Sequence, residues 1–213
     1  MFMTGCKPAE SGDTAPVPPA ETAKTESPFP NKDPEKYQVE IWQTSPTGTE
    51  KFLVARDGTK WRFDSAYGDP SQITTIRTDK EIVISVANKV YAEYPPAHGY
   101  DERENTISEM TLKMLNSTGK GTFEKIGTEG TVTRYKVMSD DDKGKESVIS
   151  FDEKLGLPVK KEIYKGTGAD RTLEMTVTLN GFTTEVDPAM FTVPKDVKKV
   201  SIDEMKKALS GTK

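Results

Sequence analysis

The sequence predicts a mainly β fold with few helices, and three observations predict it. Apolar and polar residues alternate through many short segments. Turn-forming residues separate those segments at roughly 8–12-residue spacing. One capped amphipathic helix stands in the middle of the series.

The first strand is read from Tyr37, Val39 and Ile41, which alternate with Gln38 and Glu40 in the period-2 pattern of a half-buried strand. A turn at Ser45-Pro46-Thr47-Gly48 leads into Lys51-Phe52-Leu53-Val54-Ala55. Asp57-Gly58 is a strong hairpin signal. After it Trp61 and Phe63 share one face, and Lys60, Arg62 and Asp64 take the other. Further strands are expected at Ile73–Arg77, Glu81–Val86 and Lys89–Tyr94, with turns at Thr78-Asp79-Lys80 and Asn88-Lys89.

The helix opens at Thr106-Ile107-Ser108-Glu109, a capping box in which hydroxyl and carboxylate each satisfy a free backbone donor. Ile107, Met110, Thr111, Met114 and Leu115 fall on one face at helical spacing. Strands resume at Thr122–Ile126, Thr131–Met138, Ser147–Phe151 and Val159–Tyr164, and Leu173, Met175, Val177 and Leu179 alternate most cleanly. The loops expected between them are Asp140–Gly144 and Lys165–Asp170. Near the end, Asp187 to Pro194 reads as a loop with a buried anchor, and Ser201-Ile202-Asp203-Glu204 as a second capping box.

Composition narrows the functions. The 213 residues carry 30 basic and 34 acidic side chains, a net charge of −4, and 33% hydrophobic residues. Interspersed charge exerts no long-range pull on phosphate backbones, so nucleic acid is not an expected partner. One cysteine and one histidine, His98, leave Cys/His zinc sites and Cys–His nucleophile pairs without partners. Gly166-Thr167-Gly168 lacks the third glycine of a dinucleotide fingerprint, and Ser117–Gly121 lacks the first glycine of a P-loop. Asp140-Asp141-Asp142 lacks EF-hand spacing. No catalytic residue, metal ligand or cofactor site is expected, and the protein is read as a non-enzyme.

The N-terminus points to a membrane. Met3-Thr4-Gly5-Cys6 resembles a bacterial lipobox, with Met3 where leucine is commoner. Too few residues precede it for a secretory signal, so a start upstream or a trimmed chain is expected. Residues 1–6 are read as a lipobox remnant ending in a lipidated Cys6. Residues 7–35, rich in Pro, Ala, Thr and Glu, are read as a disordered tether that stands the domain off the membrane. Lys7 stands where an aspartate would resemble an inner-membrane retention signal, which favours the outer membrane, facing the periplasm.

Residues 36–210 form the expected folded domain, which resembles the LolA/LolB-like superfamily of envelope lipoprotein and lipid carriers. The strand meander, the mid-chain helix and three phrases carry the resemblance: Phe123–Glu129 leading to Thr133–Val137, Phe151–Lys160, and Asp187–Pro194. It implies a curved antiparallel half barrel, covered on its concave side by the mid-chain helix, with an apolar cavity for acyl chains between them. An anchor on the chain itself departs from the soluble shuttle and is closer to the anchored acceptor.

Alternation nominates Trp61, Phe63, Leu173, Met175, Val177 and Leu179 from the sheet, with Ile107, Met110 and Met114 from the helix, as cavity residues. Two functions follow as expectations. The first is an envelope lipoprotein that binds acyl chains of a lipid or lipoprotein, in transport or reception. The second is a stress sensor or structural lipoprotein with a closed core and an envelope protein partner.

Overall fold

The computed structural model describes residues 28–29, 34–95, 121–139 and 145–210. Cys6, residues 1–27, the helix expected at 106–116 and the loop at 140–144 lie outside the described residues.

The first six strands form a meander, β1 (Lys36–Ser45), β2 (Gly48–Asp57), β3 (Lys60–Ser65), β4 (Ile73–Arg77), β5 (Glu81–Ser85) and β6 (Val90–Tyr94). Five more form a second meander, β7 (Gly121–Glu129), β8 (Val132–Ser139), β9 (Lys145–Asp152), β10 (Leu157–Lys165) and β11 (Thr172–Thr183). A two-residue strand, β12 (Lys198–Lys199), and one helix, α1 (Ile202–Ser210), end the described chain. Strand β11 pairs antiparallel with β1 and joins the two meanders into one 12-stranded sheet, ordered β12-β6-β5-β4-β3-β2-β1-β11-β10-β9-β8-β7. The sheet is curved and does not close. Every pairing is antiparallel except that of β12 with β6.

The turns follow from local chemistry. Ser45 pairs with Gly48 and Asp57 with Lys60, so both first hairpins have two-residue loops. Gly58 has φ +62°, which a residue with a side chain rarely adopts. Asn180-Gly181 has the composition of a turn, yet it lies inside β11. Two residues there face one on β1, and Gly181 (φ +62°) supplies a β-bulge with no interruption of the strand. Further bulges fall at Lys125/Gly127, Ile163/Tyr164 and Pro158/Lys160. Each adds local right-handed twist, and together they help bend the sheet. Pro158, without an N–H to donate, is accommodated in an interior strand at its bulge.

The sheet has two unlike faces. On β1 and β2, Tyr37, Val39, Ile41, Phe52 and Val54 take one side, and with Leu157 and Val177 they form one buried cluster. The other side of the first meander holds Ala55, Ile76 and Ile84, covered by Val186 and Phe191 from the segment after β11. That explains why Phe52-Leu53-Val54-Ala55 is buried without alternation, since β2 is covered on both sides. Phe191 is the buried anchor expected of the Asp187–Pro194 loop. It sits in a 3-10 turn, Pro188–Phe191, capped by the Asp187 carboxylate, which accepts from the Ala189 amide at 2.9 Å.

A buried ion pair fastens this turn to the sheet. Asp64 is fully buried, and Arg62, two residues earlier on the same face, donates to it from Nε (2.9 Å) and Nη2 (2.8 Å). Arg62 Nη1 donates to the Met190 carbonyl at 3.2 Å. The guanidinium thus bridges β3 and the covering segment, 128 residues apart in the chain.

Beyond the turn, β12 runs beside β6 and Lys199 meets Glu93 at 2.9 Å, while Lys80 reaches the same carboxylate at 3.0 Å. The second capping box forms as expected: Ser201 N–H donates to Glu204 Oε2 (2.8 Å), and Glu204 N–H donates to Ser201 Oγ (3.3 Å). Met205 is the buried side of α1, which packs on β5 and β6.

Asp64→Ala leaves a guanidinium without its buried partner and releases the covering turn. It is expected to destabilise the domain by about 2–4 kcal/mol, seen as a lower urea midpoint.

The backbone and side-chain hydrogen bonds from Ser201 hold the Glu204 carboxyl below its ordinary value of 4.5. Side-chain hydrogen bonds from Lys199, then Lys80, do the same for Glu93. A carboxyl lowered in the folded state stabilises above its unfolded value and ceases to do so as pH falls through the folded one. The protection factors of α1 and β12 amides, referred to the intrinsic exchange rate at each pH, are therefore expected to be highest at neutral pH and to fall, ahead of those of the central strands, below about pH 4.5.

Candidate functional site

The apolar face extends across β11, β1, β2 and β3. Its buried centre is Val39, Ile41, Val54 and Val177, and Trp61, Phe63, Met175, Leu179 and Phe182 pack around it partly buried. The rings form a row. Phe52 stacks on Phe63 (5.9 Å between centroids), and Phe63 on Trp61 (6.0 Å, 7° between planes). The buried guanidinium of Arg77 lies 5.5 Å from the Trp61 ring and meets Glu81 at 3.5 Å. Direct cross-strand pairing positions this row, since Trp61 faces Arg77 and Arg77 faces Glu81.

The same face changes character toward the β1–β2 turn. The pair after Ile41–Phe52 is Gln43–Glu50. These two, with Lys51, Tyr67, Asp69 and Ser71, line a polar cleft of about 590 Å³ between the hairpin end and the loop after β3. The loop is held by a hydrogen bond from Tyr67 N–H to the Lys51 carbonyl (2.8 Å). It begins at Ala66, whose φ of +49° is unusual for a residue with a side chain. The Ser71 hydroxyl and amide both donate to Asp69 Oδ1 (2.6 and 2.8 Å), keeping that carboxyl below its ordinary value. An apolar bed therefore runs into a hydrogen-bonding cleft on the same two strands.

At the far end of the sheet, Phe123, Val137 and Ile149 form a second cluster on this face, with Tyr135 and Phe151 beside it. Phe29 inserts among them and is only 4% exposed. The opposite face there is charged. Lys136 lies between Glu124 (3.9 Å) and the buried Glu146 (3.7 Å). Arg171 also pairs with Glu146 and lies over the Tyr164 ring at 4.2 Å. Arg134 and Lys160 share Glu162 at 3.4 and 3.0 Å. Partner charges on four strands thus replace an apolar cover.

No protein-family model and no curated protein matches the chain. Among solved structures it is similar to MucB in complex with MucA(peri), at TM-score 0.45 and 12% identity over 78% of this chain and 57% of that one. The Pseudomonas aeruginosa MucA/MucB complex gives TM-score 0.48 and 12% identity over 78% and 58%. MucB alone gives 0.46 and 10% over 76% and 58%. The chain spans less than two thirds of the length of those chains.

Of the residues nominated from sequence, Trp61, Phe63, Met175, Val177 and Leu179 meet in the first cluster. Leu173 does not join it. The Ile163/Tyr164 bulge separates it in register from the other three on β11, and it is 49% exposed. Ile107, Met110 and Met114 lie outside the described residues. The polar cleft was not anticipated, because Tyr67, Asp69 and Ser71 sit in a loop that alternation does not register. Phe29 was assigned to the tether, and its being the largest apolar side chain there was the one signal of another role. Among the described residues, no group of three or more acidic, His or Cys side chains could hold a metal, and no helix is long and apolar enough to cross a membrane.

Ile41→Ala, at the centre of the cluster, is expected to cost about 2–5 kcal/mol, whereas Leu173→Ala should change stability by no more than about 0.5 kcal/mol. Urea midpoints of the two variants measured side by side check the contrast.

Proposed function

We propose that this protein is a cell-envelope lipoprotein, anchored through lipid on Cys6, whose domain binds an amphipathic ligand by its acyl chains. One observation carries the reading: the aromatic and aliphatic bed around Ile41 and Phe63 passes directly into the polar cleft at Gln43 and Glu50. A lipid or lipidated peptide has the same division, with its chains apolar and its head hydrogen-bonding. The reading is one of binding rather than catalysis, in lipid or lipoprotein transport or reception at the outer membrane.

In this proposal the mid-chain helix, with Ile107, Met110 and Met114, covers the concave side of the sheet, as the half-barrel resemblance implies.

A second reading is favoured by a specific feature. The seven residues at the centre of the cluster are 7% exposed or less. A closely packed core of this kind fits a domain that works through a protein partner in the envelope.

Native mass spectrometry of the chain purified from membranes separates the two. The first reading expects a bound lipid mass, lost in Leu179→Glu, and uptake of a fluorescent fatty acid. A ligand-free chain that takes up no fatty acid overturns it and leaves the second. Labelled palmitate is expected to enter the wild-type chain and not Cys6→Ser, and equal labelling of the two removes the anchor.

A further inference from the structure

The cluster at the outer end of the sheet is built from two unlike parts. Phe123, Tyr135 and Phe151 belong to β7, β8 and β9, and sheet pairing holds each in place: Phe123 faces Val137, Tyr135 faces Ile149, and Phe151 faces Thr133. Phe29 belongs to no strand. It enters from the Pro-rich stretch Ser27-Pro28-Phe29-Pro30, seven residues before β1 begins. Its ring makes edge contacts with Phe123 (5.8 Å, 78°) and Tyr135 (5.6 Å, 88°) and a tilted contact with Phe151 (5.6 Å, 36°). Three rings fixed by the sheet thus enclose a fourth delivered by a linker.

We propose that this aromatic cage is a peptide-docking site, occupied in cis by the chain's own Phe29, and that it takes an aromatic residue between prolines on an extended segment. Edge-to-face packing suits a flat ring with a negative face and positive edge, so the cage selects an aromatic over an aliphatic side chain. Prolines on either side restrict the segment to extended conformations, so less freedom is lost on docking. The cage's three rings are registered by backbone pairing that does not involve Phe29, so the pocket persists when Phe29 leaves. Docking fixes the tether to the outer end of the sheet, and a partner carrying the same pattern releases it by exchange.

The test uses the full chain, its Phe29→Ala variant, and a fluorescent peptide of residues 25–32, Thr-Glu-Ser-Pro-Phe-Pro-Asn-Lys. An occupant linked in cis competes at an effective concentration on the order of millimolar. The peptide is therefore expected to bind Phe29→Ala at least tenfold more tightly than the wild-type chain, and the same peptide with Leu or Ala for Phe should bind weakly to both. A folded Phe29→Ala chain that ignores the peptide overturns the proposal, as does equal binding to both chains. Should Phe29→Ala fail to fold, the wild-type chain serves alone. Excess peptide is then expected to move the Phe29 ring proton resonances toward those of a solvent-exposed phenylalanine, and unchanged Phe29 resonances overturn the proposal.

Discussion

The structure depends on the pairing of β1 with β11. Each meander is built from neighbours in sequence, but neither covers its own apolar side. Joining them pairs Ile41 with Leu179 and Gln43 with Val177, and the main cluster forms across that seam. The bulge at Gly181 lets a 12-residue strand follow β1 as far as Gln38 while bending. Contacts this distant in sequence carry a loop-closure entropy that local hairpins avoid, so the seam's stabilisation rests on burying large side chains on both of its flanks.

The two faces divide the work. One carries the cluster around Ile41 and, toward β7, the cluster around Phe123, with Lys161 of β10 in register between them and a polar stretch where β1 and β2 approach their turn. The opposite face changes cover along its length. The segment bearing Val186 and Phe191 shields the first meander, and the Arg62–Asp64 pair ties it down. Over the second meander, paired charges such as Glu146 with Lys136 and Arg171 take its place. The sheet's ends differ in the same way. At one, β12 and α1 close over β6. At the other, β7 carries a bulge and the exposed Glu124 and Lys125, features that discourage edge-to-edge association.

Phe29 joins a residue outside the strands to the sheet's outer end, its ring buried against Phe123, Tyr135 and Phe151. Fully burying a phenylalanine contributes about 1.5–3 kcal/mol, a gain small enough for a competing aromatic side chain to reverse.

Sequence alone determined the local structure. Alternation located the strands, Asp57-Gly58 the hairpin, Ser201–Glu204 the helix cap and Asp187–Pro194 a loop with a buried anchor, because each depends on side chains within a few residues of one another. It also grouped Trp61 with Phe63 and Met175 with Leu179, since a strand's period of two assigns faces without reference to its partners. Tertiary structure decided the rest. Whether Leu173 stays with its alternating neighbours depends on a bulge set jointly with β10. Whether Asn180-Gly181 turns or bulges depends on β1. The polar cleft and the Phe29 cage exist only once the β1–β2 hairpin meets the loop after β3 and Phe29 meets β7, β8 and β9, because burial and proximity are properties of the assembled sheet and not of any segment within it.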